Sequence, residues 1–344
     1  MKNKKVRVLV VEDSLFFAKI LEKKLSQDRN IEVVDYATDA YDARDKIIKY
    51  RPDVMTLDVE MPKMTGIEFL KKLMPQYPIP IVVVSALDDK VFDALNAGAV
   101  EFVNKPNTEV PMNEFIDNLC EKIKIASEVN VSHYKEITKR TYSRQQFSKS
   151  SKYKLIAIGS STGGTVALQQ VLSKFNKEVP GIVIAQHMPP VFTKMYADRL
   201  NRELILDIKE AEEGDYVENG KVFIAPGNYH IRVKKIGSKY KIKLEKGNEK
   251  NKVNSHCPSV DVLFDSVASQ VKEEAIGIIL TGMGKDGAKG LKRMRSKGAI
   301  TIGQDQQSSV VYGMPKEAYR INALDYQEPL EKIADKVINI IKEN

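Results

Sequence analysis

The sequence predicts two doubly wound α/β units in one chain, each a parallel sheet between layers of helix. Three observations carry this. Short apolar runs rich in Val and Ile alternate with stretches of helical periodicity, from VRVLVV at 6–11 to AITIGQD at 299–305. The rhythm breaks once, over SEVNVSHYKEITKRTYSRQQFSKSSK at 127–152, which is rich in Ser, Lys and Arg and poor in aliphatics. The length, 344 residues, exceeds what one hydrophobic core ordinarily serves. The units are therefore placed at 1–125 and 153–344, with a linker at 126–152.

In the first unit VRVLVV is a strand, and Ser14 to Leu25 reads as a helix. IEVVDYA follows as a strand, then a helix running to Tyr50, then the strand DVMTLDV at 53–59. IVVVSA at 81–86 and AVEFVNK at 99–105 are two more strands. Asp93 to Asn96 lies in a helix that stops at Gly98, and Met112 to about Ala126 is the last helix. Five strands alternating with five helices make a doubly wound, flavodoxin-like sheet. In the second unit the strands KLIAIG, GIVIAQ and VFIAP are interleaved with helices. A hairpin-like stretch follows, HIRVKK and YKIKLEK about a turn at Ile236–Lys239. A helix from Ser259 to Gln270, the strand AIGIILTG, a helix from Ala288 and the strand AITIGQD complete a Rossmann-like parallel unit.

Composition excludes several classes. Hydrophobic residues at 42% and charged residues at 29% are ordinary for a globular protein. No apolar run approaches the ~20 residues that cross a bilayer, so no membrane insertion is expected. The start, MKNKKVRVLVVEDS, reads straight into a strand with no signal peptide. Two distant cysteines, Cys120 and Cys257, fit a reducing cytoplasm. The net charge of +8 resolves into −2 over 1–125, +4 over 126–152 and +6 over 153–344. No dense basic stripe and no helix-turn-helix, zinc finger or RNP motif appears, so no nucleic-acid partner is expected.

Ligands of parallel sheets gather at the carboxyl ends of strands. There the first unit places Glu12 and Asp13, Asp58, Ser85 and Lys105. Converging carboxylates make an oxygen-rich Mg²⁺ site, and a lysine with a hydroxyl suits a phosphoryl group. VVEDS, LDVEMPKMTG, VVVSA and VNKP at 103–106 resemble the receiver domain of two-component response regulators, over about residues 5–125. The resemblance implies Asp58 as phosphoacceptor. It also implies Mg²⁺ on Glu12, Asp13 and Asp58 with help from the Glu60 backbone, Lys105 as partner of the phosphoryl group, and Ser85 with Phe102 as a switch pair.

In the second unit, Gly159-Ser160-Ser161-Thr162-Gly163 fits G-x-S-x-G between a strand and a helix, the setting of a nucleophile elbow. The candidate nucleophile is Ser161; Ser160 faces elsewhere. A serine needs a base. His187 directly follows the strand GIVIAQ and is the first choice, with His256 second. His230 lies in a strand-end loop and His133 in the linker. The orienting carboxylate is Asp286, in the loop GMGKDG, with Asp305 as its rival. The same loop reads as G-x-G-x-x-G with Asp305 in the ribose-binding position, which keeps a dinucleotide-dependent oxidoreductase open. Against it, Asp286 would repel a pyrophosphate.

LIAIGSSTGGTVAL, IVIAQHMPPVFT, CPSVDVLFDSVA and ILTGMGKDGAKGL together resemble the catalytic domain of chemotaxis protein-glutamate methylesterases, and the receiver completes that architecture. Ser160 departs from the family's common alanine. The resemblance implies Ser161 as nucleophile, His187 as base and Asp286 as orienter, with Thr162 and Met283 lining the site and giving backbone amides to the oxyanion. It implies hydrolysis of glutamate γ-methyl esters of methyl-accepting chemotaxis receptors, deamidation of receptor glutamines, and no cofactor for catalysis. It also implies a chemotaxis histidine kinase as phosphodonor. The unphosphorylated receiver is expected to cover the mouth of the esterase site.

Overall fold

The valine- and isoleucine-rich runs form two separate parallel sheets in the computed structural model, which describes residues 5–86, 90–108, 110–129, 131, 152–248, 251–254 and 256–343. The chain divides into two compact units, Met1–Lys139 and Arg140–Asn344. Most of the stretch at 126–152, His133 included, lies outside the described residues, and its first two positions belong to a helix of the N-terminal unit.

The N-terminal unit runs β1 (Val6–Val11), α1 (Leu15–Leu25), β2 (Ile31–Ala37), α2 (Ala40–Tyr50), β3 (Val54–Asp58), α3 (Gly66–Leu73), β4 (Ile81–Ser85), α4 (Lys90–Asn96), β5 (Glu101–Asn104) and α5 (Met112–Ser127). Its sheet has the order β2-β1-β3-β4-β5, every pair parallel. Side-chain caps start the helices where the sequence supplies them. Ser14 accepts from Phe17 N, Asp39 from Tyr41 N and Asp42 N, and Thr65 with Glu68 forms a reciprocal capping box. The chain passes from β1 to β2 on one side and reaches β3 on the other. The carboxyl ends of β1 and β3 therefore bound the crevice at the switch point.

The C-terminal unit runs β6 (Leu155–Ser160), α6 (Gly164–Leu172), β7 (Gly181–Gln186), α7 (Phe192–Glu203), β8 (Asp207–Glu210), β9 (Tyr216–Val217), β10 (Lys221–Ile224), β11 (Tyr229–Ile236) and β12 (Lys239–Lys246). It continues with α8 (Val260–Gln270), β13 (Ala275–Ile279), α9 (Ala288–Ser296), β14 (Ile300–Gln304), α10 (Met314–Arg320), β15 (Tyr326–Glu328) and α11 (Leu330–Lys342). The main sheet is seven-stranded, order β15-β14-β13-β6-β7-β10-β8. β6 and β7 are buried at every position, as strands covered on both faces must be. The sheet changes direction at β6, flanked by β7 and β13, which puts the switch point on those three strand tips. A three-stranded antiparallel sheet, β11-β12-β9, packs an inner face of Ile231, Val233, Tyr240 and Ile242 toward α8, and Val233 N donates to Ser266 Oγ at 2.9 Å. Among the described residues no helix is long and apolar enough to cross a membrane.

Candidate active site and phosphoacceptor pocket

Two serines end β6, and the fold gives them different surroundings. Ser160 is fully buried, and its hydroxyl donates to Gln186 Oε1 at 2.6 Å. Gln186, the last residue of β7, returns its amide to the carbonyls of Ser161 and His187, both at 3.0 Å. Ser160 thus ties two strand tips together. The Ser161 hydroxyl makes no hydrogen bond with a described residue. The turn that presents it needs glycine: Gly163 sits at φ +75°, and a Cβ there would stand 2.6 Å from Val310 Cβ. Gly163→Ala is therefore expected to lower stability by about 2–3 kcal/mol and to blunt serine reactivity. Urea unfolding checks the first and labelling by a fluorophosphonate the second; an alanine variant as stable and as reactive as the parent would refute this account of the turn.

His187 follows Ser160 onto the same edge. β6 and β7 pair in register, Ser160 opposite Gln186, and His187 N donates to Ser160 O at 3.1 Å. Its Nε2 lies 2.9 Å from Asp286 Oδ2. A carboxylate only accepts, so Nε2 carries the proton and Nδ1 the lone pair. That Nδ1 is buried and without a partner. The structure thus joins His187 to Asp286 and leaves the Ser161 hydroxyl and His187 Nδ1 both unbonded on neighbouring strand tips, an arrangement common before substrate tightens the site.

Asp286 is 1% exposed and saturated. Oδ1 accepts from Asn254 Nδ2 (2.8 Å), Ser259 Oγ (2.9 Å) and Asp261 N (3.2 Å); Oδ2 accepts from Val260 N (2.7 Å) as well as His187. Burial pushes its carboxyl up, but the His187 hydrogen bond and charge, the Asn254 amide and the Val260 N–H outweigh it and hold the group well below the usual carboxylate range. The amino terminus of α8 is thus filled by the protein's own anion. In the first turn of α9, the helix that follows GMGKDG, Gly290 N already donates to Asp261 Oδ1 at 2.6 Å, so a pyrophosphate in that loop would meet the carboxylates of Asp286 and Asp261. The rival Asp305 is engaged locally, accepting from Ser308 N at 2.9 Å and Ser308 Oγ at 2.6 Å.

The other histidines divide. His256 stacks on His187, centroids 3.8 Å apart and planes 9° apart, and its Nδ1 meets Asn254 O at 2.7 Å. It walls the ring face, and one nitrogen from each of the two rings and an Asp286 carboxylate oxygen all lie within 4.8 Å of one another. His230 belongs to β11 rather than to a loop, is 1% exposed, and bonds Asn251 O and Ser259 N through its two nitrogens. Its work is structural. Sequence reading missed Asn254 and Ser259, the second and third side chains on Asp286.

Thr162 is 1% exposed, and Met283 is 40% exposed at the mouth. The backbone N–H groups of both make no hydrogen bond with a described residue, while the adjacent Ser161 N and Gly282 N are used by Thr281 O and Val311 O. Two free amides beside an unbonded hydroxyl can receive a developing oxyanion, helped by the α6 amino terminus.

In the N-terminal unit, Glu12, Asp13 and Asp58 bring carboxylate oxygens within 4.8 Å of one another. Lys105 Nζ lies 2.7 Å from Asp58 Oδ2 and 2.9 Å from Glu12 Oε2, yet Glu12 Oε2 is buried without a hydrogen bond of its own. Burial drives the Asp58 and Glu12 carboxyls above their ordinary values, with Lys105 opposing. Three carboxylates whose hard oxygens converge this closely fit Mg²⁺. Ser85 is buried at the tip of β4, and Lys105 N donates to its carbonyl at 2.7 Å. Phe102 is 8% exposed and meets Phe92 edge-on, centroids 6.5 Å apart.

Residues 156–337 match the CheB methylesterase family, and residues 8–117 match the response regulator receiver domain. A relative from Syntrophomonas wolfei, named protein-glutamate methylesterase/protein-glutamine glutaminase 2, is 51% identical over 345 residues and spans 100% of both chains. The protein-glutamate methylesterase/protein-glutamine glutaminase of Sulfurimonas denitrificans is 46% identical over 351 residues, covering 98% of this chain and 99% of its own. The crystal structure of the Thermotoga maritima CheB methylesterase catalytic domain matches with a TM-score of 0.53 and 40% identity, over 55% of this chain and 99% of that one.

Proposed function

The chain belongs to the CheB methylesterase family, and from that premise we propose that it is a phosphorylation-activated hydrolase of chemotaxis receptors. It removes methyl groups from glutamate γ-methyl esters and converts receptor glutamines to glutamate. The observation that carries the mechanism is the His187 ring, bonded to Asp286 at 2.9 Å through Nε2 and left without a hydrogen-bond partner at Nδ1, on the strand tip next to the one that holds Ser161.

In this reading His187 Nδ1 takes the proton of Ser161 as Oγ adds to the ester carbonyl. The N–H groups of Thr162 and Met283 stabilise the oxyanion, a contribution of roughly 3–4 kcal/mol per donor in other hydrolases. The imidazolium, its Nε2–H on the Asp286 carboxylate, returns the proton to the leaving oxygen, and methanol departs. Water, deprotonated by the same Nδ1, attacks the acyl-enzyme and regenerates Ser161 with a glutamate product. A glutamine side chain offers the same carbonyl with ammonia as leaving group.

Asp58 is the proposed phosphoacceptor and a chemotaxis histidine kinase the phosphodonor. Glu12, Asp13 and Asp58 would hold Mg²⁺, which neutralises charge on the transferring phosphoryl group. Lys105 pairs with the phosphoryl oxygens, and Ser85 and Phe102 report its arrival. Phosphorylation then shifts the chain toward its active form. The methylated receptor helices lie in the cytoplasm, so the enzyme works there. Asp58→Asn is expected to leave an unstimulated rate of methanol release from methylated receptor membranes and to abolish the increase caused by a small-molecule phosphodonor. Stimulation that survives in Asp58→Asn would remove Asp58 from this role.

A further inference from the structure

The outer face of the β11-β12-β9 sheet carries a concentration of positive charge that no step above uses. Residues 229–246 contain Arg232, Lys234, Lys235, Lys239, Lys241, Lys243 and Lys246 against one acid, Glu245. That is net +6, equal to the whole net charge of 153–344, so the rest of the unit is neutral. Strand pairing compresses it. Lys235 and Lys246 fall on the inner-face parity, opposite Tyr240 and Tyr229, and the outer face keeps Arg232, Lys234, Lys239, Lys241 and Lys243 with Glu245, a net of +4; the register sets Arg232 opposite Lys243 and Lys234 opposite Lys241. The dense basic stripe that the linear sequence did not display is made by folding. Like charges directly opposite destabilise a sheet, and little here relieves them. Arg232 pairs with Glu245 at 3.1 Å, Lys239 lies 3.8 Å from Glu218, and Lys239 and Lys241 lie over the Tyr216 ring at 5.4 and 5.1 Å. Lys234 and Lys243 are exposed and make no ion pair with a described residue.

The root of this ribbon is built into the catalytic edge. Asn228 N donates to Cys257 O at 3.2 Å, and Gly227 N donates to Thr193 Oγ1 at 3.1 Å, just past the His187–Val191 loop. His230, two residues before Arg232 on the same face, is covered by the segment that carries Asn251, His256 and Ser259. A chain lying along the outer face thus passes from the basic rows to His230 within about 7 Å, two residues of strand, and His230 bonds the segment whose His256 stacks on His187.

We propose that this face docks an acidic segment of the protein substrate and leads its reactive side chain to Ser161. The proposal rests on the esterase reading above for the identity of that substrate. The expected ligand is a carboxylate-bearing helical segment. Each hydrolysis adds a carboxylate to such a segment, and Glu245 already shows how one seats on Arg232. An anionic lipid surface is the competing occupant. The face is less suited to it, because its long axis runs back to the catalytic edge.

The test compares the full-length protein with Lys234→Glu/Lys243→Glu and Lys234→Gln/Lys243→Gln. One arm is sedimentation of each, in a Ser161→Ala background, with methylated receptor membranes, with receptor-free membranes and with phosphatidylglycerol vesicles. The other arm is methanol release from receptor membranes and from a small soluble glutamyl γ-methyl ester. The Glu variant is expected to raise KM for receptor membranes roughly tenfold with kcat kept, to lose salt-sensitive sedimentation with receptor, and to cleave the small ester at the parent rate; the Gln variant falls between. Receptor sedimentation and KM within twofold of the parent would overturn the proposal. So would parent sedimentation with vesicles or receptor-free membranes equal to that with receptor. Salt-sensitive receptor sedimentation without methanol release would spare the docking face and sink the esterase reading instead.

Discussion

Ser161→Ala is expected to abolish methanol release from methylated receptor membranes, a fall on the order of 10⁴-fold or more, while the protein stays folded. The size follows from the loss of the bond-forming atom, since water held near His187 cannot form the acyl intermediate. The change removes one oxygen that makes no hydrogen bond with a described residue, so little stability goes with it. Ser160→Ala is the counterpart with the opposite pattern. Its hydroxyl satisfies the buried Gln186 Oε1 at 2.6 Å, so its loss costs about 1–3 kcal/mol in stability and leaves the chemistry in place. Gas chromatography of methanol and labelling by a serine-directed probe read both variants. Release at the parent rate from Ser161→Ala, or a probe adduct on another residue, would end the assignment.

The parts of the fold legible in the sequence are those whose signals are local. The strands covered on both faces announce themselves as unbroken apolar runs, as LIAIGS and GIVIAQ do, and strand tips in a parallel sheet are where ligands go. Ser161, His187, Asp286 and the acidic pocket around Asp58 could be read for that reason. What escaped is either short or non-local. β8, β9 and β15 are edge strands of four, two and three residues, too brief for a period to show. His230 opens the strand-like HIRVKK, one residue inside β11, and only the packed structure shows its ring buried between Asn251 and Ser259. The amides and hydroxyl on Asp286 come from residues 25 to 32 positions away, and no spacing rule anticipates them. The basic face was invisible because its charges are interspersed with Val233 on β11 and with Tyr240 and Ile242 on β12, and only the antiparallel register of β11 on β12 brings the two rows together.

Asp286→Asn is expected to cut kcat by about 10⁴-fold and to destabilise the fold as well, because an amide cannot serve this site in either orientation. With its NH₂ in place of Oδ2 it faces Val260 N–H and the His187 ring nitrogen. One donor is then left unpaired, and His187 must accept at Nε2, which moves its proton to Nδ1, where the base has to be. With its NH₂ in place of Oδ1 it faces the Asn254 amide, the Ser259 hydroxyl and Asp261 N–H, three donors at once. The penalty is that of buried donors without an acceptor, about 3–5 kcal/mol when summed over the site. The pH dependence carries the same signature. The folded protein holds the Asp286 carboxyl below its ordinary value, so ionised Asp286 contributes stability that is fully present above the unfolded value near pH ~4 and is lost as pH falls through the lower folded one. Between pH 5 and 9 its charge is constant, and the acid limb of the rate profile in that range belongs to another group. Urea midpoints from pH 7 down to about 3 should therefore fall less steeply for Asp286→Asn than for the parent. Parallel falls, together with a kcat within tenfold of the parent, would show that the carboxylate neither orients His187 nor anchors the amino terminus of α8.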